Sequence, residues 1–267
     1  MHGTGTATPR QKVTLLLLAA ICATVTAASA QDRLDHLVRV ETTMDLDGDH
    51  HDDFISVVFY QTGHGYGFDR FVLEVNGSQF VGSGAALDCA FQVVDIDSTD
   101  GRKEIVLSES GPSDDDATHF FGYARGSIGL IGSLEGRLPG PPGVDGSGTI
   151  HTRCRGRILQ TWWYPCDYRF DIQRQSLDQV PERYRIMGTP VVLKTDLALT
   201  AEPWGDRPVG VVRAGEKATL LRTDDEIWCE IESAGGLRGW FFTVGGWHVG
   251  AGNIVATEVF DGLMIAD

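Results

Sequence analysis

The apolar positions of this chain fall in short runs, and almost none repeat at the spacing of a helix. Phe54-Ile55-Ser56-Val57-Val58-Phe59 reads as a buried strand, and residues 68–75, 119–124 and 161–172 read as aromatic-rich strands. Val75-Asn76-Gly77-Ser78 and Ala124-Arg125-Gly126-Ser127 are turn-like junctions 49 residues apart, and Asn-Gly is a strong signal for a two-residue hairpin. Residues 177–184 are the one place where a helical turn fits. The pattern predicts an all-β protein.

Polar punctuation repeats as well. Asp45-Leu46-Asp47-Gly48-Asp49-His50-His51-Asp52-Asp53 precedes the first buried strand; a second acidic loop starts 50 residues on at Asp95, and a third at Asp145. Each period of about fifty residues reads as acidic loop, buried strand, aromatic strand, tight turn and short strand, a mark of blade-like or solenoidal β-architecture. Carboxylates at alternate loop positions repel one another until a hard cation sits among their oxygens, and Ca2+ suits such a set best. Asp45, Asp47, Asp49 and Asp53 are the expected side-chain ligands, with a backbone carbonyl from His51. An EF-hand is excluded: its sixth and twelfth positions need Gly and Glu, and here they are His50 and Ser56. Adjacent His50 and His51 point apart in an extended segment, which disfavours zinc. The second loop offers Asp95, Asp97, Asp100 and Glu104 as a weaker metal loop, with Arg102 and Lys103 as competing cations; the third keeps only Asp145.

The Asp45 to Phe54 segment resembles the acidic loop of FG-GAP or VCBS-type repeats of β-propeller proteins, whose pattern is Asp-x-Asp-Gly-Asp-x-x-x-Asp followed by an apolar residue. Three periods are fewer than a propeller needs to close, so the expected form is an open stack of propeller-like β-units. After Met187-Gly188-Thr189-Pro190 the pattern changes to short alternating strands joined by Gly and Asp turns. Gly215-Glu216 before one strand, Trp228 opening the next and a closing Gly239-Trp240 resemble bacterial Src-homology-3-like (SH3-like, SH3b) domains. The expected organisation is an export signal over 1–30, an acidic-loop β-repeat domain over 31–188, a small SH3-like barrel over 189–245, and a glycine-rich tail over 246–267.

Charge and cysteines narrow the setting. Arg10 and Lys12 flank a short apolar core, and Ala28-Ser29-Ala30 ends in a small-residue cleavage pattern, as in a secretory signal. No later segment is apolar for long enough to span a bilayer. Cleavage removes those two basic residues, so the formal charge of −15 becomes −17. Such an acidic surface argues against nucleic acid, which needs Lys and Arg against its phosphates. Cys154 and Cys166 lie in neighbouring predicted strands and are the expected disulfide; Cys89 and Cys229 read as buried thiols.

Catalytic signatures such as Gly-x-Ser-x-Gly, His-Glu-x-x-His or a Walker loop are absent from the sequence. The resemblance implies a secreted or envelope protein, extracellular or periplasmic, whose SH3-like module binds cell-wall peptide or another envelope component. Trp204, Trp228 and Trp240 are its ligand-contact candidates. Two other readings remain open: a secreted hydrolase acting on polysaccharide through paired carboxylates, and a structural or adhesion part of a larger assembly.

Overall fold

The computed structural model describes residues 37–62, 67–111, 115–138, 140 and 142–265. The expected export signal lies outside the described residues. Among the described residues no helix is long and apolar enough to cross a membrane.

Seven strands form one antiparallel meander in chain order: β1 (Leu37–Met44), β2 (Asp53–Tyr60), β3 (Phe68–Val75), β4 (Ser78–Val94), β5 (Glu104–Glu109), β6 (Ala117–Ala124) and β7 (Ser127–Glu135). A second sheet holds β8 (Gly143–Val144), β9 (Thr149–Arg155), β10 (Trp163–Asp171) and β11 (Ser176–Gln179), in the order β11-β10-β9-β8. The two tight turns are two-residue loops, with Val75 opposite Ser78 and Ala124 opposite Ser127. Asn76 and Gly77 both have positive φ, as do Arg125 and Gly126, the backbone of a turn whose twist matches that of the flanking strands.

The fifty-residue period is therefore a three-strand meander: β2-β3-β4, β5-β6-β7 and β9-β10-β11. One expected short strand is long instead. β4 runs for 17 residues, pairing with β3 through its first half and with β5 through its second, with a register shift on each side. It ends one period and opens the next, so two periods merge in one sheet. Among the described residues no sheet closes on itself, and the fold is all-β without a closed propeller.

The acidic loops all fall at the same corner of their meanders and stack. Lys103 N–H donates to the Leu46 carbonyl at 2.9 Å, joining the first two loops. Ser98 N–H donates to Gly146 O at 3.0 Å and Gly148 N–H to Ile96 O at 2.7 Å, joining the second and third. A Cβ at Gly48 would lie 2.6 Å from the Gly101 carbonyl oxygen, so this stacking needs glycine there. Leu46 and Ile96, second residues of their loops, are fully buried and plug two separate clusters of the core.

The C-terminal sheet contains β12 (Arg185–Leu193), β13 (Leu197–Thr200), β14 (Pro208–Val212), β15 (Lys217–Thr223), β16 (Trp228–Ser233) and β17 (Arg238–Val244). Then come β18 (His248–Val249), β19 (Ile254–Val255), a single helical turn α1 (Ala256–Val259) and β20 (Phe260–Asp261). The order is β14-β13-β17-β16-β15-β12-β20. Two expected boundaries move. The described part of the expected tail, residues 246–265, joins the fold: Leu193 pairs with Phe260, and Val249, Ala256, Val259 and Phe260 are buried in the core. The junction expected near Gly188 falls inside β12, at a bulge between Ile186 and Thr189.

The repeat and C-terminal units also touch. Ile158 and Leu159, from the β9–β10 connection, are buried in the C-terminal core, and Leu159 N–H donates to Gly246 O at 2.7 Å. Cys154 and Cys166 form the expected disulfide across β9 and β10. Cys89 and Cys229 are free; Cys229 is fully buried, and that burial pushes its thiol far above the ordinary value.

Candidate metal centre

β1 ends at Met44, and the loop that follows is shaped by its own carboxylates. Asp45 Oδ1 accepts Gly48 N–H at 2.8 Å and Asp45 Oδ2 accepts His50 N–H at 3.0 Å. Gly48 and His50 both have positive φ, which lets the loop curl back on Asp45. Asp49 Oδ1 accepts His51 N–H at 2.8 Å. The outcome is a gathering of Asp45, Asp47 and Asp49, each with an oxygen within 4.8 Å of the others'. Asp47 Oδ1 is buried and has no hydrogen-bond donor. Desolvation works to raise the Asp45 pKa, but the Gly48 and His50 amides and nearby Lys103 hold it below the ordinary value. Three gathered carboxylates, with one buried oxygen lacking a donor, suit a hard divalent cation.

Asp53 takes a different place. Asp53 is buried, with Oδ2 accepting Leu46 N–H at 2.8 Å and Oδ1 accepting Asn76 Nδ2 at 2.6 Å. Asp53 ties the loop to the hairpin turn at Asn76 and is not among the three gathered carboxylates. The His51 ring is exposed and lies 3.1 Å from the Asp49 carbonyl oxygen. Asn76 was not legible as a partner of this loop; its Asn-Gly signal announces only the turn.

The second loop follows the same plan with a different balance. Glu104 takes the position of Asp53, its Oε2 accepting Ile96 N–H at 3.0 Å. Asp97 Oδ1 accepts the Thr99 amide and hydroxyl, and Asp100 Oδ1 accepts Arg102 N–H. Asp95 Oδ1 and Asp100 Oδ2 are buried without donors. Burial pushes the Glu104 pKa up to about 7, the Ile96 amide opposes this, and the like charges of Asp100, Asp95 and Asp97 add to the rise. Burial and Asp100 also raise Asp95, against Lys103. Lys103 stands between the loops, its Nζ donating to Asp45 O at 3.3 Å. Among the described residues, only the first loop brings three ligand residues together.

The three tryptophans separate by exposure. Trp204 is 75% exposed, in the β13–β14 connection at φ +61. Its ring meets Trp228 edge-on at 5.4 Å, and Trp228 meets Phe242 at 5.8 Å. Trp228 is buried, yet its Nε1 donor has no acceptor. Trp240 is buried against Tyr184, with the Arg222 guanidinium 5.4 Å from its ring. Trp204 is therefore the exposed member of this aromatic stack, and Trp228 and Trp240 are buried.

No protein-family model, curated protein or solved structure matches this chain.

Proposed function

We propose that this chain is an exported β-repeat protein. In this reading its first acidic loop holds Ca2+, and its C-terminal SH3-like module binds cell-wall peptide or another envelope component. The observation that carries the binding role is Trp204: a large apolar ring, three-quarters exposed, held at positive φ and backed by Trp228. Such an exposed aromatic is costly to leave in water and is suited to stack on a ligand. The order β12, β13–β14 excursion, β15-β16-β17 meander, helical turn and closing β20 supports the SH3-like resemblance. For calcium, the support is the gathering of Asp45, Asp47 and Asp49 with an unpartnered Asp47 oxygen. The stacked loops make that role structural: a cation on the first loop would stiffen the contact with the second.

The test is retention on purified, insoluble cell wall, read by co-sedimentation of wild type and Trp204→Ala. Trp204 is exposed, so its removal leaves the core intact. Truncation of a central aromatic contact weakens binding by about 2 kcal/mol or more, roughly thirtyfold. Equal retention of both proteins rejects the role of this face.

A further inference from the structure

Three residues far apart in sequence meet on one face of the seven-stranded sheet. His119 on β6 and Ser133 on β7 are opposed in register, and Ser133 Oγ lies 2.7 Å from His119 Nδ1. Glu109 on β5 brings Oε1 to 3.5 Å from His119 Nε2, an ion-pair distance; Nε2 is buried and makes no hydrogen bond. Its other oxygen, Oε2, accepts Ala85 N–H at 2.7 Å. A Cβ at Gly84 would lie 2.1 Å from that same oxygen, so glycine is what lets the β4 backbone reach the carboxylate. The result is a line of four groups: a backbone amide, a carboxylate, an imidazole and a hydroxyl.

The protons can be assigned from chemistry. An ionised carboxylate only accepts, so the ring hydrogen belongs on Nε2, which faces Glu109. Nδ1 is then an acceptor, and the Ser133 hydroxyl donates to it. A hydroxyl hydrogen-bonded to a base whose far nitrogen faces a carboxylate has the elements of an activated nucleophile. Exposure runs the same way: the His119 and Glu109 side chains are 17% and 16% exposed, whereas Ser133 is open to solvent.

We propose that Ser133 is a nucleophile, with His119 as its base and Glu109 as the positioning residue, and that it hydrolyses small acyl esters of polar carriers. The substrate class follows from the surroundings. Ser133 lines a cleft of about 420 Å³ together with Thr152, Arg153, Arg155, Tyr168 and Gln179. These polar walls offer no slot for a long acyl chain, so the acyl group is short, such as acetyl, and the alcohol carrying it is hydrated. In the first step Oγ bonds to the ester carbonyl carbon and its proton passes to His119 Nδ1. The C–O bond to the alcohol then breaks, and the alcohol leaves with that proton. Water attacks the acyl-serine and gives a proton to His119, which returns it to Oγ as the carboxylic acid departs. Arg153, Arg155, Arg157 and Arg185 line this cleft and are its candidate cations for the oxyanion, with Arg155 also paired to Asp115 at 2.9 Å.

The test uses the full chain, a fluorophosphonate probe and 4-nitrophenyl acetate. Wild type is expected to carry the label on the Ser133 peptide by mass spectrometry and to hydrolyse the ester above buffer. Ser133→Ala, at an exposed position, should keep the wild-type melting curve and lose both signals. His119→Gln should lower kcat by ~10²-fold or more. Glu109→Gln should lower kcat with KM unchanged, and Glu109→Asp should restore part of it. No label at Ser133, no hydrolysis above buffer, or equal hydrolysis by Ser133→Ala each overturns the proposal. An unchanged kcat in Glu109→Gln removes Glu109 from it.

Discussion

Replacing Asp53 by alanine separates a structural carboxylate from a metal ligand. Asp53 is 6% exposed and holds two donors, Leu46 N–H at 2.8 Å and Asn76 Nδ2 at 2.6 Å. A hydrogen bond to a charged acceptor contributes ~1.5–3 kcal/mol. Leu46 is fully buried, so its amide bears that loss in full, while Asn76 is exposed and can turn its amide to water. The expected cost is therefore about 2–4 kcal/mol, a large share of a typical total of ~5–15 kcal/mol. The assay is urea unfolding followed by circular dichroism, in chelator, so that no cation contributes. The midpoint should fall with the slope unchanged. A loss below about 1 kcal/mol would refute the tie between the first loop and the β3–β4 turn.

Two further outcomes follow from the same reasoning. Burial lifts Glu104 to about 7 in the folded chain, above its unfolded value, so the folded state keeps a proton that the unfolded state has released. Without metal, stability should fall as pH rises from about 4.5 to about 7, and Glu104→Gln should flatten that slope in a series of thermal melts; an unchanged slope contradicts the assignment. The Cys154–Cys166 bridge closes a short loop, with a sequence separation of 12. Replacing both cysteines by serine should cost about 3 kcal/mol through the freed unfolded chain, read in urea; a loss under about 1 kcal/mol would show that the strand pairing alone holds this hairpin.

The repeat was legible because each period places an acidic loop and a hairpin at fixed spacing, and both signals depend on few residues. Asn76-Gly77 specifies its turn by backbone preference, and the turn forms as read. The continuity of β4 was not legible, since its alternation slips phase between Leu87 and Phe91, as at a strand end. Neither was the closing strand: Val249, Ala256, Val259 and Phe260 are buried, but glycines and exposed residues separate them in the chain. Aspartate spacing does not distinguish a ligand from a tie. Asp47 and Asp53 carry the same group, and what separates them is that Asp53 meets Asn76, 23 residues away. The Glu109, His119 and Ser133 line needs cross-strand register, which no local pattern encodes.

Calcium at the first loop is tested most directly by thermal melting in ~10 mM calcium and in chelator, for wild type and for the Asp47→Asn, Asp49→Asn variant. Extracellular calcium modules dissociate at ~10⁻⁴–10⁻³ M, so this concentration adds about 1.4–2.7 kcal/mol to a chain that binds only when folded. The wild-type melting temperature should rise by several degrees, at ~2–4 °C per kcal/mol, and the variant's should not move. A wild type that melts at one temperature in both conditions, or a variant that keeps the full rise, contradicts a cation held by Asp45, Asp47 and Asp49.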